Sequence, residues 1–375
     1  MVRSFSVTNK ERIRRIDPIL FCCTLFLTMM SILTLYGGLG KFDDLSTSGF
    51  VTQVVSAALG FVLMIVLALI DYEELVEKLY VGFFVLSISL LVITLLFGVA
   101  AGTNKSYIRI GPVGIQPSEF VKAAYIITLS KHLDYIKDRI NSPRSLLGIA
   151  LHSGVIIGLI LLSGDLGVAL VYVGLTAVML FCAGFSVWYF LGVFGAGAVT
   201  LPYLWSKLQY YQQQRIIAGF NPEIDPQHYG HQALLSRQAI ANGGLIGKGI
   251  DGGTYYENLF ASHTDFIFAT ICEKFGFIGG VAVLLALTVM VIRIIIIAYR
   301  SRKEYGGYIC IGAAAIIVIQ TLENTGMCMA FLPVVGITLP FLSYGGSSML
   351  SMYIIIGLVQ SIRSHREKYF FEINE

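Results

Sequence analysis

Charged residues are scarce in this 375-residue sequence. Asp, Glu, Lys and Arg make up 13% of it, whereas roughly 25% is usual in a soluble domain. Hydrophobic residues make up 56%, and the mean hydropathy is +0.76. This composition excludes a soluble globular enzyme and a disordered chain. The net charge of +3 gives no reason to expect a nucleic-acid partner.

Several other features are missing from the sequence. The six cysteines stand in apolar runs without the paired spacing of a zinc or redox motif, so a disulfide-stapled secreted domain is excluded too. The basic N-terminus precedes an apolar run that continues to Tyr36 without an Ala-x-Ala cleavage site. We interpret that run as a retained first span. No internal repeat is recognisable, and a chain made mostly of membrane-spanning helices remains.

Apolar runs long enough to cross a bilayer, about 20 residues each, define the fold class. The predicted spans are 18–37, 50–70, 79–101, 118–133, 146–163, 165–183, 186–206, 265–298, 307–329 and 345–362. They predict an all-α polytopic membrane protein with about ten transmembrane helices and a single membrane domain over 1–375. The eighth run is long enough to tilt or break. Residues 330–344 contain Pro333, Gly336 and Pro340, which predicts a broken or re-entrant segment.

The distribution of Lys and Arg predicts the orientation. With the N-terminus inside, 17 of the 26 basic residues lie on the cytoplasmic side and 7 outside, while Lys122 and Lys274 lie within spans. Both termini are therefore predicted to be cytoplasmic. The polar stretch 207–262 then becomes a large extracytoplasmic loop between spans seven and eight. Within it, residues 231–242 have a helical pattern closed by Gly243-Gly244, and this helix could lie along the membrane surface.

Ionisable residues within or beside the spans are the candidate functional groups. A charge at the bilayer centre costs roughly 2.5–3.5 kcal/mol, so such residues usually face a cavity or a partner. Glu119 and Lys122 share one helix face, where they either neutralise each other or bind a substrate directly. In the predicted orientation they lie on the outer half of the protein, together with Arg109, Asp165 and Asp265.

Asp265 admits two interpretations. Ser262 or Thr264 would cap span eight and place Asp265 in its first turn, where the helix dipole favours a carboxylate. Alternatively, the carboxylate lies at the mouth of an outward cavity and acts as a general base. His263 is either part of that site or a hydrogen-bonded loop histidine. The residues alone slightly favour the capping interpretation.

The stretch 343–348 (SYGGSS) opens the last span with two glycines and three serines, among them Ser343 and Ser347. Exposed N–H groups at a helix start can hold a phosphate. The same residues also form an ordinary cap and allow close helix packing. Both interpretations remain open.

Six ordered motifs carry a resemblance. They are Gln116-Pro117-Ser118-Glu119, Asp165-Leu166-Gly167, His263-Thr264-Asp265-Phe266, Asn324-x-Gly326-Met327, Leu332-Pro333-Val334-x-Gly336 and Ser343-Tyr344-Gly345-Gly346-Ser347-Ser348. Together they resemble the SEDS family (shape, elongation, division and sporulation) of RodA, FtsW and SpoVE proteins, from about residue 17 to 362. The family has ten spans and cytoplasmic termini. Gly247-Lys248-Gly249 is more similar to the RodA branch, which serves cell elongation and shape, than to the cell-division branch.

The resemblance implies a function. It implies a peptidoglycan glycosyltransferase of the bacterial cell membrane, with an outward active site that polymerises lipid II alongside a class B penicillin-binding protein. Asp265 matches the family's proposed catalytic aspartate, while Glu119, Lys122 and Asp165 match further functional positions. One departure is Glu273-Lys274, where the family usually has two glutamates.

The implied reaction is a single inverting displacement. The acceptor 4-hydroxyl attacks the anomeric carbon of the lipid-linked donor, undecaprenyl pyrophosphate leaves, and a base, here Asp265, takes the proton. The pyrophosphate needs cations or N–H donors, for which the candidates are Arg109, Lys122, Arg215, Lys248 and the helix start at 343–348. No residue cluster demands a metal and no cofactor is required, although a divalent cation such as Mg or Mn could share this work.

Transport is the competing function. A Glu–Lys pair within the membrane and a broken segment also occur in secondary transporters, so a lipid II flippase or a lipid or solute transporter is the alternative. A non-catalytic scaffold in a cell-wall complex is a third possibility. The clustering of polar groups on one side and the absence of an inverted repeat favour the enzyme. Membrane lipids are partners in every case.

Overall fold

The computed structural model describes residues 15–41, 46–101, 104–110 and 113–365, without the side chains at 100, 101, 104, 110, 113, 204, 211, 212 and 215. Twelve α-helices occur in these ranges. They are α1 (Pro18–Tyr36), α2 (Thr47–Leu69), α3 (Tyr72–Phe97), α4 (Pro117–Ile136), α5 (Pro143–Leu162), α6 (Leu166–Cys182), α7 (Val187–Lys207), α8 (Tyr210–Phe220), α9 (His231–Gly243), α10 (Ile267–Tyr299), α11 (Glu304–Cys328) and α12 (Gly346–Ser364).

Each of the ten predicted spans overlaps with one of these helices. Seven are long and apolar enough to cross a membrane, namely α1, α2, α3, α5, α7, α10 and α11. Helix α6 is apolar but has only 17 residues, while α4 and α12 are more polar and mostly buried. The protein is therefore a multi-pass membrane protein with a predominantly helical fold. The number of ten crossings stays a prediction.

Local sequence signals fix several helix starts. Side chains of Asp17, Asp71, Ser142 and Asp165 each accept a backbone N–H from the first turn of the following helix. Proline occupies the first position of α1, α4 and α5, where its missing N–H has no intrahelical partner to lose. The helices that follow Asp17, Ser142 and Asp165 start within three residues of the predicted boundary, whereas α3 starts seven residues before it.

A small antiparallel sheet joins α3 to α4. Its strands are β1 (Val99–Ala101), β2 (Asn104–Ile110) and β3 (Val113–Ile115), with β2 in the middle. The third predicted span, 79–101, extends too far, because its last residues, 99–101, form β1. Strands of three residues give too short a pattern to be recognised by periodicity. The sheet matters because β2 contributes to the polar cavity described below.

Helix α10 breaks at Gly276, where the backbone has φ 69°. The N–H groups of Phe277 and Ile278 donate to the carbonyls of Gly244 and Leu245 at 2.8 and 3.1 Å, so partners outside the helix replace its own. A Cβ at position 276 would lie 2.4 Å from Leu245 O, which only glycine avoids. The predicted break in the eighth span is confirmed.

The segment 330–345 between α11 and α12 is not helical and runs through the protein interior. Ile337, Leu339, Leu342 and Ser343 in it are all buried. Non-helical backbone at membrane depth is tolerated only where protein covers it or where it lines a cavity. This observation confirms the predicted broken segment.

Helix α9 confirms the helical pattern found within 207–262. It ends at Gly244, which has φ 57°. It packs closely on α10, because a Cβ at Gly243 would lie 1.9 Å from Cys272 O. The Ser236 hydroxyl donates to Cys328 O at 2.8 Å, which attaches α9 to the end of α11 as well. One side of this helix is therefore packed against the protein.

Glu273 and Lys274, adjacent in α10, bind a further part of the loop 207–262. The carboxylate of Glu273 is fully buried and accepts four hydrogen bonds, from Asn242 Nδ2 and from the backbone N–H groups of Thr254, Tyr255 and Tyr256, at 2.7–3.0 Å. The neighbouring Lys274 Nζ donates to Ile250 O at 2.6 Å and to Gly37 O at 3.0 Å. These bonds attach residues 242–256 to α10 and to the end of α1.

Candidate active site

Four of the residues singled out in the sequence line one cavity of about 300 Å³, here called the polar cavity. They are Glu119 and Lys122 from α4, Asp165 before α6, and Asp265 before α10. Strand β2 and the segment 335–338 form further walls. The cavity therefore brings together residues that lie up to 146 positions apart in the sequence.

Glu119 and Lys122 form a buried ion pair. Lys122 Nζ lies 2.8 Å from Glu119 Oε2, and the two side chains are 1% and 4% exposed. The pair stands one turn into α4, on the face that lines the cavity. The two sequence interpretations are thus compatible, because the residues neutralise each other and remain part of the cavity wall.

Asp165 is held by a chain of hydrogen bonds. Its Oδ1 caps α6 by accepting Val168 N at 3.1 Å, and its Oδ2 accepts from Gln116 Nε2 at 3.2 Å. The backbone N–H of Gln116 in turn donates to Ser347 Oγ at 3.0 Å. Ser347, predicted as a phosphate ligand, therefore connects α12 to the residue that orients Asp165.

Asp265 stands in a turn rather than in a helix. The N–H groups of Thr264, Asp265 and Phe266 all donate to Ala261 O, and Ala261 has φ 54°. Helix α10 begins at Ile267, and its N-cap, Phe266, makes no side-chain capping bond. The capping interpretation of Ser262, Thr264 and Asp265 is therefore wrong, and Asp265 is left to face the cavity.

Burial and charge both disfavour ionisation of the carboxylates here. Burial, helped by the negative charge of Asp165, raises the pKa of Asp265 to about 6, although a hydrogen bond with Thr264 opposes the shift. Burial also raises the pKa of Asp165. Burial and the nearby Glu119, Asp265 and Asp165 raise the pKa of Tyr107 to about 12, so this phenol stays neutral. Among the described residues that line the cavity, Lys122 supplies the positive charge against three carboxylates.

His263 and Ser343 connect the turn that carries Asp265 to the segment 330–345. The Ser343 hydroxyl donates to Thr264 O at 2.6 Å and accepts from Leu339 N at 2.8 Å, so it joins the Asp265 turn to the segment 330–345. His263 is buried, its carbonyl accepts from Tyr344 N at 2.8 Å, and its ring packs 5.4 Å from the Tyr344 ring. In this arrangement both residues support the turn.

Three basic residues predicted for the pyrophosphate are not among the described side chains that line the cavity. Arg109 is exposed on β2, two positions beyond Tyr107, which does line the cavity. Lys248 is exposed in the loop 207–262, and its own backbone N–H donates to Glu273 O. Arg215 belongs to α8, and its side chain lies outside the described residues. Their roles stay predictions.

Sequence reasoning missed some of the cavity residues. Tyr107, Gln320, Thr338 and Tyr344 line the cavity without having been singled out as site residues. The Gln320 Nε2 donates to Thr338 Oγ1 at 3.3 Å, which links α11 to the wall segment. Gln320 is a buried polar residue in a membrane helix, and that signal alone could have identified it.

A larger cavity of about 560 Å³ lies elsewhere, between α6, α10 and α11. Its lining is almost entirely aliphatic and aromatic, with Glu304 as its acidic member. Chemistry requires convergent polar groups, so the smaller polar cavity is the better candidate for an active site. No group of three or more His, Cys, Asp or Glu residues suited to a metal ion occurs in the part of the chain that the structure describes.

Comparison with known proteins agrees with this fold. A family model described as cell cycle protein, covering FtsW, RodA and SpoVE, matches residues 16–368. Stage V sporulation protein E of Bacillus subtilis is 35% identical over 364 residues, covering 92% of this chain and 96% of the relative. Peptidoglycan glycosyltransferase MrdB of Escherichia coli K12 is 34% identical over 366 residues, covering 94% of each chain.

A solved structure is similar along the same length. It belongs to a peptidoglycan synthase complex studied for the structural coordination of polymerization and crosslinking. The match has a TM-score of 0.80 and 26% identity, and it covers 94% of this chain and 99% of that one. The structural similarity therefore extends over nearly the whole chain.

Proposed function

This chain belongs to the FtsW/RodA/SpoVE family of cell cycle proteins, and from that membership we infer that it is a peptidoglycan glycosyltransferase of bacterial cell-wall synthesis. Relatives named for this activity align over nearly the whole chain. The observation that carries the assignment to a site is the convergence of Glu119, Lys122, Asp165 and Asp265 on the polar cavity. The proposed substrate, as donor and as acceptor, is lipid II.

Asp265 is the proposed general base. It takes the proton of the acceptor 4-hydroxyl as that oxygen attacks the anomeric carbon, while undecaprenyl pyrophosphate departs from the opposite face. A pKa of about 6 suits this role, because the group is mostly ionised at neutral pH and still basic enough to accept a proton. Gln116 and Ser347 keep Asp165 beside it.

Lys122 is the proposed contact for the pyrophosphate. It is the cation of the cavity wall among the described residues, and its partner Glu119 compensates its charge when the site is empty. A buried charge that already has a partner costs less to keep in place than an isolated one. Arg109, exposed on β2, is proposed to meet the substrate at the entrance.

The orientation and the partner complete the proposal. Lys and Arg are more frequent in the segments on one side of the membrane, which supports cytoplasmic termini and a cavity open to the outside. The protein works with a class B penicillin-binding protein, as the similarity to a chain of a synthase complex for polymerization and crosslinking supports. The sporulation relative and MrdB are nearly equally similar, so the proposed elongation role depends on the Gly247-Lys248-Gly249 motif.

A polymerisation assay tests the function directly. The purified chain, with its class B partner, should convert lipid II into glycan strands in the presence of moenomycin, which silences the unrelated class A glycosyltransferases. Translocation of lipid II across vesicles without polymer formation would instead support the flippase alternative. Polymer formation that persists after removal of the chain would identify a contaminant.

The pH dependence of polymerisation should report Asp265. We expect the rate to rise with pH through a midpoint near 6, because the ionised carboxylate is the active form. At pH 5 about a tenth of the plateau rate remains if Asp265 alone controls the step. Asp165→Asn should move the midpoint lower, since the charge of Asp165 contributes to the raised pKa. A flat profile from pH 5 to 7, with the protein still folded, would contradict the general-base role.

Lys122→Met should raise the KM for lipid II about tenfold or more, because a charge-assisted contact to the pyrophosphate is lost. It also leaves Glu119 as an uncompensated buried charge, so the melting temperature should fall. The double variant with Glu119→Gln removes both charges and should recover stability without recovering KM. Lys131→Met, on the same helix but outside the polar cavity, is the control. Recovery of both quantities in the double variant would reduce the pair to a structural role.

A further inference from the structure

Four consecutive carbonyl oxygens in the turn that carries Asp265 have partners outside that turn. Thr270 Oγ1 donates to Ser262 O, and Tyr344 N donates to His263 O, both at 2.8 Å. Ser343 Oγ donates to Thr264 O at 2.6 Å, and Asn324 Nδ2 donates to Asp265 O at 2.7 Å. A regular helix would hold its residues through its own backbone ladder. This turn instead depends on its neighbours for its position.

Asn324 makes the bond nearest to the carboxylate. Its side chain is fully buried in α11, and the Nδ2 amide group donates to Asp265 O and to Ile337 O, both at 2.7 Å. One amide group therefore joins α11, the Asp265 turn and the wall segment 335–338. The thiol of Cys328, one helical turn further along, makes longer contacts of 3.8–3.9 Å to Asn324 Oδ1 and Asp265 O.

The two carbonyls that Asn324 binds belong to the Asp265 turn and to the wall segment 335–338, which approach each other closely. A Cβ at Gly336, adjacent to Ile337, would lie 3.2 Å from Asp265 Oδ2, and Gly336 has φ 75°. The carboxylate thus faces the backbone of the wall segment directly. Because the same Asn324 amide group binds both segments, it fixes the distance between the wall segment and the Asp265 carboxylate.

We propose that Asn324 is a positioning residue of the glycosyl transfer, which holds the Asp265 carboxylate against the cavity wall through its paired bonds to Asp265 O and Ile337 O. The proposal rests on the proposed role of Asp265 as general base. It also assigns a purpose to the Asn324-x-Gly326-Met327 motif. A misplacement of about 1 Å in a catalytic group can cost 10²-fold in rate. Asparagine suits the position because two N–H groups are needed within one short side chain.

Asn324→Asp tests the proposal with almost no change of shape. The variant replaces the donating amide by an oxygen, which repels two carbonyls, or by a hydroxyl that can serve only one of them. We expect kcat to fall about 10–100-fold and KM for lipid II to change less than threefold. Asn324→Ser should share the loss of kcat. In Asn324→Ser, which introduces no new carboxyl group, the pH midpoint of kcat should move below 6, because a carboxylate released from the wall becomes better hydrated.

Controls separate positioning from folding and from the proposed function. Thr325→Val removes a neighbouring hydroxyl that bonds only to Thr321 O of its own helix, so it should leave kcat and the midpoint unchanged. A variant that merely destabilises the fold would lower the amount of active protein and keep the midpoint near 6, which would overturn the proposal. Normal kcat in both Asn324 variants would overturn it too. If instead wild-type rates show no dependence on Asp265, the proposed function itself has failed.

Discussion

Asp265→Asn should lower the polymerisation rate by about 10³-fold, within the range of 10²–10⁴ attributed to positioned acids and bases. The amide has the shape of the carboxylate but cannot accept a proton from the attacking hydroxyl. Steady-state rates with lipid II, measured with the partner present, check the prediction. Asp251→Asn is the matched control, since Asp251 is exposed in the loop and does not line the polar cavity.

The same variant should be as stable as the wild type or more so. The folded-state pKa of Asp265 lies above the ordinary 3.8, so ionisation opposes folding, and stability falls as the pH rises from about 4 through 6. Removing the charge relieves this penalty at neutral pH. A melting temperature well below that of the wild type, together with lost activity, would indicate misfolding instead of a lost base.

Glu273→Gln should destabilise the protein by about 3 kcal/mol or more, the largest structural effect expected from one side chain. The carboxylate is fully buried and accepts four hydrogen bonds. An amide keeps one acceptor oxygen and turns its NH2 group towards N–H donors, which leaves buried polar groups unsatisfied. Thermal unfolding in detergent and proteolysis of the segment 244–262 measure the effect.

Glu257→Gln provides the comparison for that change. Glu257 pairs with Lys41 at 3.3 Å, and both side chains are more than a third exposed. Exposed pairs contribute roughly 0–1 kcal/mol, so this variant should melt near the wild-type temperature. Equal effects of the two substitutions would show that the four bonds to Glu273 do not hold the loop.

Hydropathy and charge predicted the helical layout because they act locally. The ten apolar runs, the break in the eighth span and the interrupted segment 330–344 all follow from composition and from glycine and proline positions. The convergence of Asp165, Asp265 and the Glu119–Lys122 pair followed from topology, since each stands at the same end of its span. A sequence pattern of this kind places residues at one level of the membrane and leaves their contacts undetermined.

The contacts that orient the site could not be predicted in that way. Asn324 reaches Asp265 O across 59 positions, and Gln116 reaches Asp165 across 49. Such pairs depend on how the helices pack, which no local periodicity encodes. For the same reason the sequence does not reveal that the backbone N–H of Lys248, a predicted pyrophosphate ligand, donates to Glu273 O.

The break at Gly276 has a consequence for the exchange of segments between relatives. The membrane helix that follows it starts with N–H groups whose partners, the carbonyls of Gly244 and Leu245, belong to the loop 207–262. A chimera that replaces residues 207–262 alone would change the backbone path that presents those two carbonyls to Phe277 and Ile278. The exchangeable unit therefore extends past the apparent loop boundary to residue 278, and a graft has to include Gly276, the Glu273-Lys274 pair and the Asp265 turn together.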